Sequence, residues 1–294
     1  MLPNATPLLQ MHRIHKRFPG VHALKGIDFD VQRGEVHALV GENGAGKSTL
    51  MHILAGVYQP DEGYIDFNGE QNVVIANERQ SQILGIAIVF QERSLFGTLS
   101  VAENIFAARQ PANAIGRIDR KQLFADTEKL LHDVALDYIK PQQHLSELSL
   151  AQQQMIEIAK ALSLNARLII FDEPTAALTD KETRALFSVI AQLKQAGVGI
   201  VYISHRLEEV FEIADRVTVL KDGTWQGTFA VSETSTDQLI SRMVGREIAL
   251  HQRHTDAVAE TSPVMLEVRG LTDGAEFRDT RPFLRETANW FRRR

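Results

Sequence analysis

The sequence predicts an α/β fold, with a buried parallel sheet, a small antiparallel β subdomain beside it and an inserted helical subdomain. Three observations predict this. The first is Gly41-Glu42-Asn43-Gly44-Ala45-Gly46-Lys47-Ser48-Thr49, a complete G-x-x-x-x-G-K-[ST] loop. It follows the run Glu35–Val40 and precedes Leu50, Ile53 and Leu54 at helical spacing, the strand–turn–helix setting the motif requires. The second is a set of apolar runs that each end in a polar residue: Ile86–Phe90 before Gln91, Leu168–Phe171 before Asp172-Glu173, and Gly199–Ile203 before Ser204-His205. Short, continuously apolar runs suit parallel strands buried on both faces. The third is the segment Val101–Leu164, charged, helically patterned and without a convincing strand.

In chain order, Leu8–Ile14 reads as an edge strand, Lys16–Gly20 as a breaker, and Ile27–Val31 as a second short strand. Gly63–Phe67 gives a third strand and ends at Asn68-Gly69, the strongest two-residue hairpin signal. These three form the antiparallel part. At the phosphate loop, glycines let backbone N–H groups converge on phosphate oxygens, and the helix N-terminus adds its positive end. Lys47 is expected to reach the β- and γ-phosphates and the Ser48 hydroxyl to sit on Mg²⁺, so the loop reads as a site for a nucleoside triphosphate. Ligands of open α/β sheets bind outside the carboxyl ends of the strands, so four strand ends converge on this site. Val217–Leu220, followed by Lys221-Asp222-Gly223-Thr224-Trp225, gives a further strand with a hairpin turn. The α/β domain is expected to end near Gly245, and Arg246–Ser262 reads as a linker.

Composition bounds the partners. A net charge of −5 argues against bulk nucleic-acid binding, and the absence of cysteine excludes disulfides and thiolate metal sites. The opening Met1–Pro7 lacks the blocks of a signal peptide. No apolar run approaches the roughly 20 residues that span a bilayer, so any membrane role is expected to come through a partner. Histidines such as His12, His15 and His22 show no metal-ligand spacing.

The order of these residues resembles the ATP-binding subunits of ABC transporters, in particular the monosaccharide-importer branch, from Leu8 to about Gly245. The resemblance implies a P-loop NTPase (RecA-like) core with the helical subdomain at about 93–164, ATP and Mg²⁺ as ligands, and ATP hydrolysis. It matches Phe18 to the aromatic on adenine, Gln91 to the glutamine that touches Mg²⁺, and Asp172 to the acid that holds Mg²⁺ through water. It makes Glu173 the general base and His205 the switch histidine on the γ-phosphate, with Ser149, Leu150, Ala151 and Gln152 in the signature position. Two departures, Leu150-Ala151 where two glycines are usual and Thr179 where aspartate is usual, fit the sugar-importer branch. Other readings of the same residues stand beside these. Ser149 with Gln152 is also a capping box before Met155, Ile158, Ala159 and Leu162, and Phe18 is also a packing residue.

The resemblance also implies partners. In the family, ATP is sandwiched between the phosphate loop of one domain and the signature of another, so a second ATP-binding domain or a second copy is required. Membrane permease subunits, a periplasmic sugar-binding protein acting indirectly, and a peripheral position on the cytoplasmic face of the bacterial inner membrane follow. No nucleic-acid partner is expected. Ribose, galactose, xylose and autoinducer-2 all stay open as cargo. Met265–Leu271 resembles Leu8–Ile14, as if a second domain begins there. Lys47 lies 33 residues beyond Ile14, and the same step from Leu271 runs past Arg294. Residues 263–294 therefore read as an aborted start of a second domain, or as a short regulatory tail, with neither strand alternation nor a glycine turn after Asp273. The alternatives in function are a nucleotide-binding remnant without transport activity and a soluble ABC ATPase acting on nucleic acid or ribosomes.

Overall fold

The computed structural model describes residues 7–90, 94–113, 115–244, 264–267 and 283–285. The first elements are β1 (Leu9–Phe18), β2 (Val21–Val31), β3 (Val36–Val40), α1 (Lys47–Leu54), β4 (Glu62–Phe67), α2 (Glu78–Leu84) and β5 (Ile86–Val89). Next come α3 (Val101–Ile105), α4 (Arg120–Asp133), α5 (Leu150–Leu162), β6 (Leu168–Asp172), α6 (Asp180–Gln195) and β7 (Gly199–Ile203). Then follow α7 (Leu207–Ile213), β8 (Arg216–Lys221), β9 (Thr224–Ala230), α8 (Thr236–Val244), β10 (Val264–Glu267) and β11 (Phe283–Arg285).

β3, β6 and β7 are buried at every position, His37 of β3 and Asp172 of β6 included, because both faces of the sheet are covered. They belong to a six-stranded sheet of order β5-β6-β7-β3-β8-β9, parallel except for β9. Leu39 pairs with Ile203, Asp172 with Ile203 and Val89 with Phe171, so the carboxyl ends of β3, β5, β6 and β7 share one edge. Alternation divides the side chains between two faces. Ile169, Phe171, Ile200 and Tyr202 join a core with Met155 and Ile158 of α5 and Leu186 and Ile190 of α6. Leu168, Ile170, Val201 and Ile203 join a second core with Leu50 and Met51 of α1 and with Ile14 and Leu24 of the antiparallel sheet.

That antiparallel sheet has the order β2-β1-β4, which corrects two expectations. β1 is the middle strand, not an edge. His12, His15 and Lys16 give it a polar face, but β4 arrives from beyond α1 to pair with its second side. β2 begins at Val21 rather than near Ile27, because the polar stretch His22–Gly26 still pairs with β1. Asn68 and Gly69 do form a tight turn, both with positive φ (56° and 88°), and Phe67 and Glu70 exchange backbone hydrogen bonds across it. The chain leaves after that one pair without a return strand.

The helical insertion shares a core with the sheet. Val101, Ile105, Leu131 and Met155 pack in one cluster with Ala87, Val89 and Phe171. Its helices start on side-chain caps: Ser100 with Glu103, Asp119, and Ser149 with Gln152. Thr179, the departure after β6, stands at the start of α6, where its N–H and its hydroxyl both donate to Glu182 Oε2 at 2.9 Å. The chain divides into two compact units, Met1–Arg246 and Glu247–Arg294. The expected linker at 246–262 lies outside the described residues. In the second unit β10 pairs antiparallel with β11, so a strand does occur after Asp273. At three residues it is too short for alternation to show. No described helix is long and apolar enough to cross a membrane.

Candidate functional site

The loop between β3 and α1 can only be built with glycine at fixed places. A Cβ on Gly41 would stand 2.3 Å from the Leu220 carbonyl of β8. Gly46, at φ 104°, precedes α1 directly, and a Cβ there would stand 2.8 Å from the Ala23 carbonyl. No side chain caps α1, so its first amides are left for a ligand. Lys47 is buried, and its Nζ donates to the Gly41 carbonyl at 2.7 Å and the Glu42 carbonyl at 3.0 Å. Burial pulls its pKa below the ordinary lysine value, while Glu173 and Asp172 oppose that.

Across the cleft, β6 ends at Asp172, which is 8 % exposed. Burial first and the adjacent Glu173 charge second push its carboxyl up to about 6, against the pull of Lys47. Glu173 is left-handed (φ 49°), and its N–H donates to the Ile203 carbonyl at 3.0 Å. That turn brings its Oε1 to 3.3 Å from His205 Nδ1 at the end of β7. Asn43, Gly44, Gly46, Lys47, Ser48, Thr49, Asp172, Glu173 and His205 line one cleft of about 940 Å³.

Other sequence-derived candidates lie elsewhere. Phe18 is not among the lining residues, and its ring meets Tyr58 edge-on at 5.2 Å between centroids. Gln91 lies outside the described residues. Ser149, Leu150, Ala151 and Gln152 are absent from the cleft lining and form the start of α5. The capping box exists: Ser149 N–H donates to Gln152 Oε1 at 2.8 Å, and Gln152 N–H to Ser149 Oγ at 3.2 Å. Leu150 is 59 % exposed. Sequence reasoning missed Gly20 before β2, Val21, His22, Ala23 and Lys25 of β2, and the Asp222-Gly223 turn, which complete the lining. The turn was legible as a hairpin only. Its place here comes from Gly223 N–H, which donates to the Ala45 carbonyl at 3.1 Å. Among the described residues no group of three or more His, Asp or Glu is arranged to hold a metal by itself.

A loop, a buried acid and a left-handed glutamate on neighbouring strand ends invite comparison with known proteins. The sequence pattern of the family described as "ABC transporter" matches residues 24–176, just over half of the chain. This chain belongs to the ABC transporter family. It is 49 % identical over 278 residues to the ribose import ATP-binding protein RbsA 1 of Streptomyces avermitilis, covering 95 % of this chain and 52 % of that protein. It is 50 % identical over 273 residues to a protein of Agrobacterium fabrum that carries the provisional name ribose/galactose/methyl galactoside import ATP-binding protein 1, covering 92 % and 53 %. This ABC chain thus spans about half the length of the curated relatives it matches. Among solved structures, it superposes on an ATP-binding cassette of an ABC transporter in its ADP conformation with a TM-score of 0.68 at 25 % identity, covering 82 % of this chain and 100 % of that one. The cbiO1 protein of Clostridium perfringens, part of the ABC transporter complex cbiONQ, gives 0.67 at 26 %, covering 81 % and 94 %. The fold is that of an ABC ATP-binding cassette, a P-loop α/β domain.

Proposed function

We propose that this chain binds ATP with Mg²⁺, hydrolyses it, and so energises import of a monosaccharide or related small sugar through membrane permease subunits. The observation that carries the reading is the shared cleft of the Lys47 loop, Asp172, Glu173 and His205. Phosphoryl transfer needs positioning and charge neutralisation more than covalent chemistry. On nucleotide binding, Lys47 Nζ exchanges its two loop carbonyls for β- and γ-phosphate oxygens, and the uncapped amides of α1 take the remaining anionic charge. The residues fit Mg²⁺: Ser48 and Asp172 face one cleft, and the raised Asp172 carboxyl is a buried anion short of a cation. Ser48 and Asp172 would hold that ion, with Gln91 as the third group named by the sequence, and it would supply charge neutralisation at the phosphates. Glu173 orients the attacking water in line, and His205, beside its carboxylate, steadies the γ-phosphate side.

The N-terminus of α5, with Ser149, Leu150, Ala151 and Gln152, serves the nucleotide held by a second ATP-binding domain or a second copy. The sugar assignment rests on the import named for the relatives. With it go permease subunits, an indirect periplasmic sugar-binding protein, and a peripheral position on the cytoplasmic face of the bacterial inner membrane. Titration with a fluorescent ATP analogue tests the core of the proposal. Lys47→Ala should lose ATP binding, whereas Glu173→Gln should keep it and hydrolyse ATP about 10²-fold more slowly or worse, as loss of a positioned base requires. Equal affinity in wild type and Lys47→Ala would sink the assignment.

A further inference from the structure

The Glu173–His205 pair sits on two loops, and a left-handed glutamate persists only where its surroundings impose the conformation. The group that ties both loops lies beneath the cleft and is not part of its lining. Glu209 of α7 is 4 % exposed. Its Oε2 accepts from Tyr202 Oη at 2.9 Å and Ser204 Oγ at 2.8 Å. Thr175 Oγ1 donates to it too, at 2.8 Å from Oε1 and 3.0 Å from Oε2. Arg206 Nη1 stands 2.9 Å from Oε1. Three hydroxyls and a guanidinium thus converge on one acceptor-only carboxylate. The donors come from both sides of the site: Thr175 is two residues after Glu173, and Ser204 directly precedes His205. Ser204 Oγ also accepts from Arg206 N–H at 3.0 Å, which fixes the turn carrying the histidine.

We propose that Glu209 is a positioning residue: its buried carboxylate clamps the loop after β6 to the loop after β7 and thereby holds Glu173 in register with His205. The inference rests on the nucleotide reading of the cleft for its kinetic consequence, though the clamp is also measurable without nucleotide. Glu209→Gln keeps the shape of the side chain but puts an amide N–H₂ where an acceptor is needed. Misplacement of a base by an ångström can cost about 10²-fold. The expected result is a kcat lowered about 10- to 100-fold with ATP affinity unchanged, because the Lys47 loop is not involved. In the Glu173→Gln background the same change should cost nothing more, since Glu209 acts through Glu173. Amide exchange of residues 173–178 and 203–206 should quicken while that of 41–54 does not.

A wild-type kcat for Glu209→Gln, losses that multiply in the double variant, or exchange that is unchanged or raised throughout would each overturn the clamp. Should Glu209→Gln not fold, Thr175→Val removes one donor and leaves the carboxylate in place. It should lower kcat and quicken exchange at 173–178 alone, and wild-type behaviour on both counts would overturn the proposal. If the wild-type chain bound no ATP, the nucleotide reading would fall, and the exchange measurements would still decide the clamp.

Discussion

Asp172 sits in the cleft in an environment that runs against what its carboxylate prefers. Its carboxyl titrates at about 6 against an ordinary 3.8, chiefly because it is buried. The native state therefore holds this proton at a pH where the unfolded chain has lost it. Stability gains from Asp172 as pH falls through about 6, and the cost of the buried charge is fully present above that. Asp172→Asn should then stabilise the nucleotide-free protein at pH 7.5 by on the order of 1–3 kcal/mol. The gain should vanish near pH 4. His37 acts in the opposite direction, since burial, with Arg216 adding to it, lowers its pKa to about 4, and the unfolded chain takes up that proton first as pH falls. The wild-type curve mixes the two, so the measurement is the difference between variant and wild-type thermal midpoints at each pH. A gain of equal size at pH 7.5 and pH 4 would mean that Asp172 is not strained by its charge. Asp172, Glu173 and His205 were legible in the sequence because each ends an apolar run. Glu209 was not. It follows Glu208 on a short helix, and nothing local says which of the two is buried among hydroxyls from other strands.

At the scale of elements, legibility followed the range of the interactions. β6 and β7 read correctly because burial on both faces writes itself into a run of apolar residues, Leu168–Phe171 and Ile200–Ile203, and β3 because it leads into the phosphate loop. β1 read as an edge because pairing with β4 depends on residues far along the chain, and period-two patterning records a face, not a neighbour. The start of α5 was legible as a capping box, as Ser149 and Gln152 exchange hydrogen bonds with each other's backbone. Removing the Ser149 hydroxyl should cost about 1 kcal/mol, since one of the first amides loses its acceptor. For a unit of this size that is about 2–4 °C of thermal midpoint. Ser149→Ala and Gln152→Ala should be less than additive, because each breaks the same reciprocal pair. Differential scanning calorimetry of the two single variants and the double variant reads this directly, and fully additive shifts would show that the box contributes nothing as a unit.

For the whole molecule, the cleft and the helix start set the last expectation together. The cleft lining contains Asn43, Gly44 and Gly46–Thr49 of the phosphate loop and Glu173 but none of Ser149–Gln152, while Ser149 and Leu150 face solvent. On the proposed function, a nucleotide in this cleft would meet a signature brought by a second ATP-binding domain or a second copy. The proposed pairing would explain why a sequence can show every motif of a site and still not show the site closed, since half of the closed site would belong to another domain. Hydrolysis by such a chain is second order in protein at low concentration, so its specific activity should fall on dilution instead of staying flat. Leu150 and Ala151 carry side chains where a glycine would let the backbone come closest to phosphate, which should keep self-pairing weak and basal turnover slow. Glu173→Gln, by binding ATP without turning it over, should accumulate the paired form, seen as a mass shift by light scattering with ATP and not without it. Ser149→Arg in that background should abolish the shift and leave ATP affinity intact, because it blocks the surface presented to the partner and touches nothing in its own cleft. A specific activity constant over a hundredfold range of protein, with no ATP-dependent mass shift, would show that this chain hydrolyses alone and that its signature helix serves only the fold.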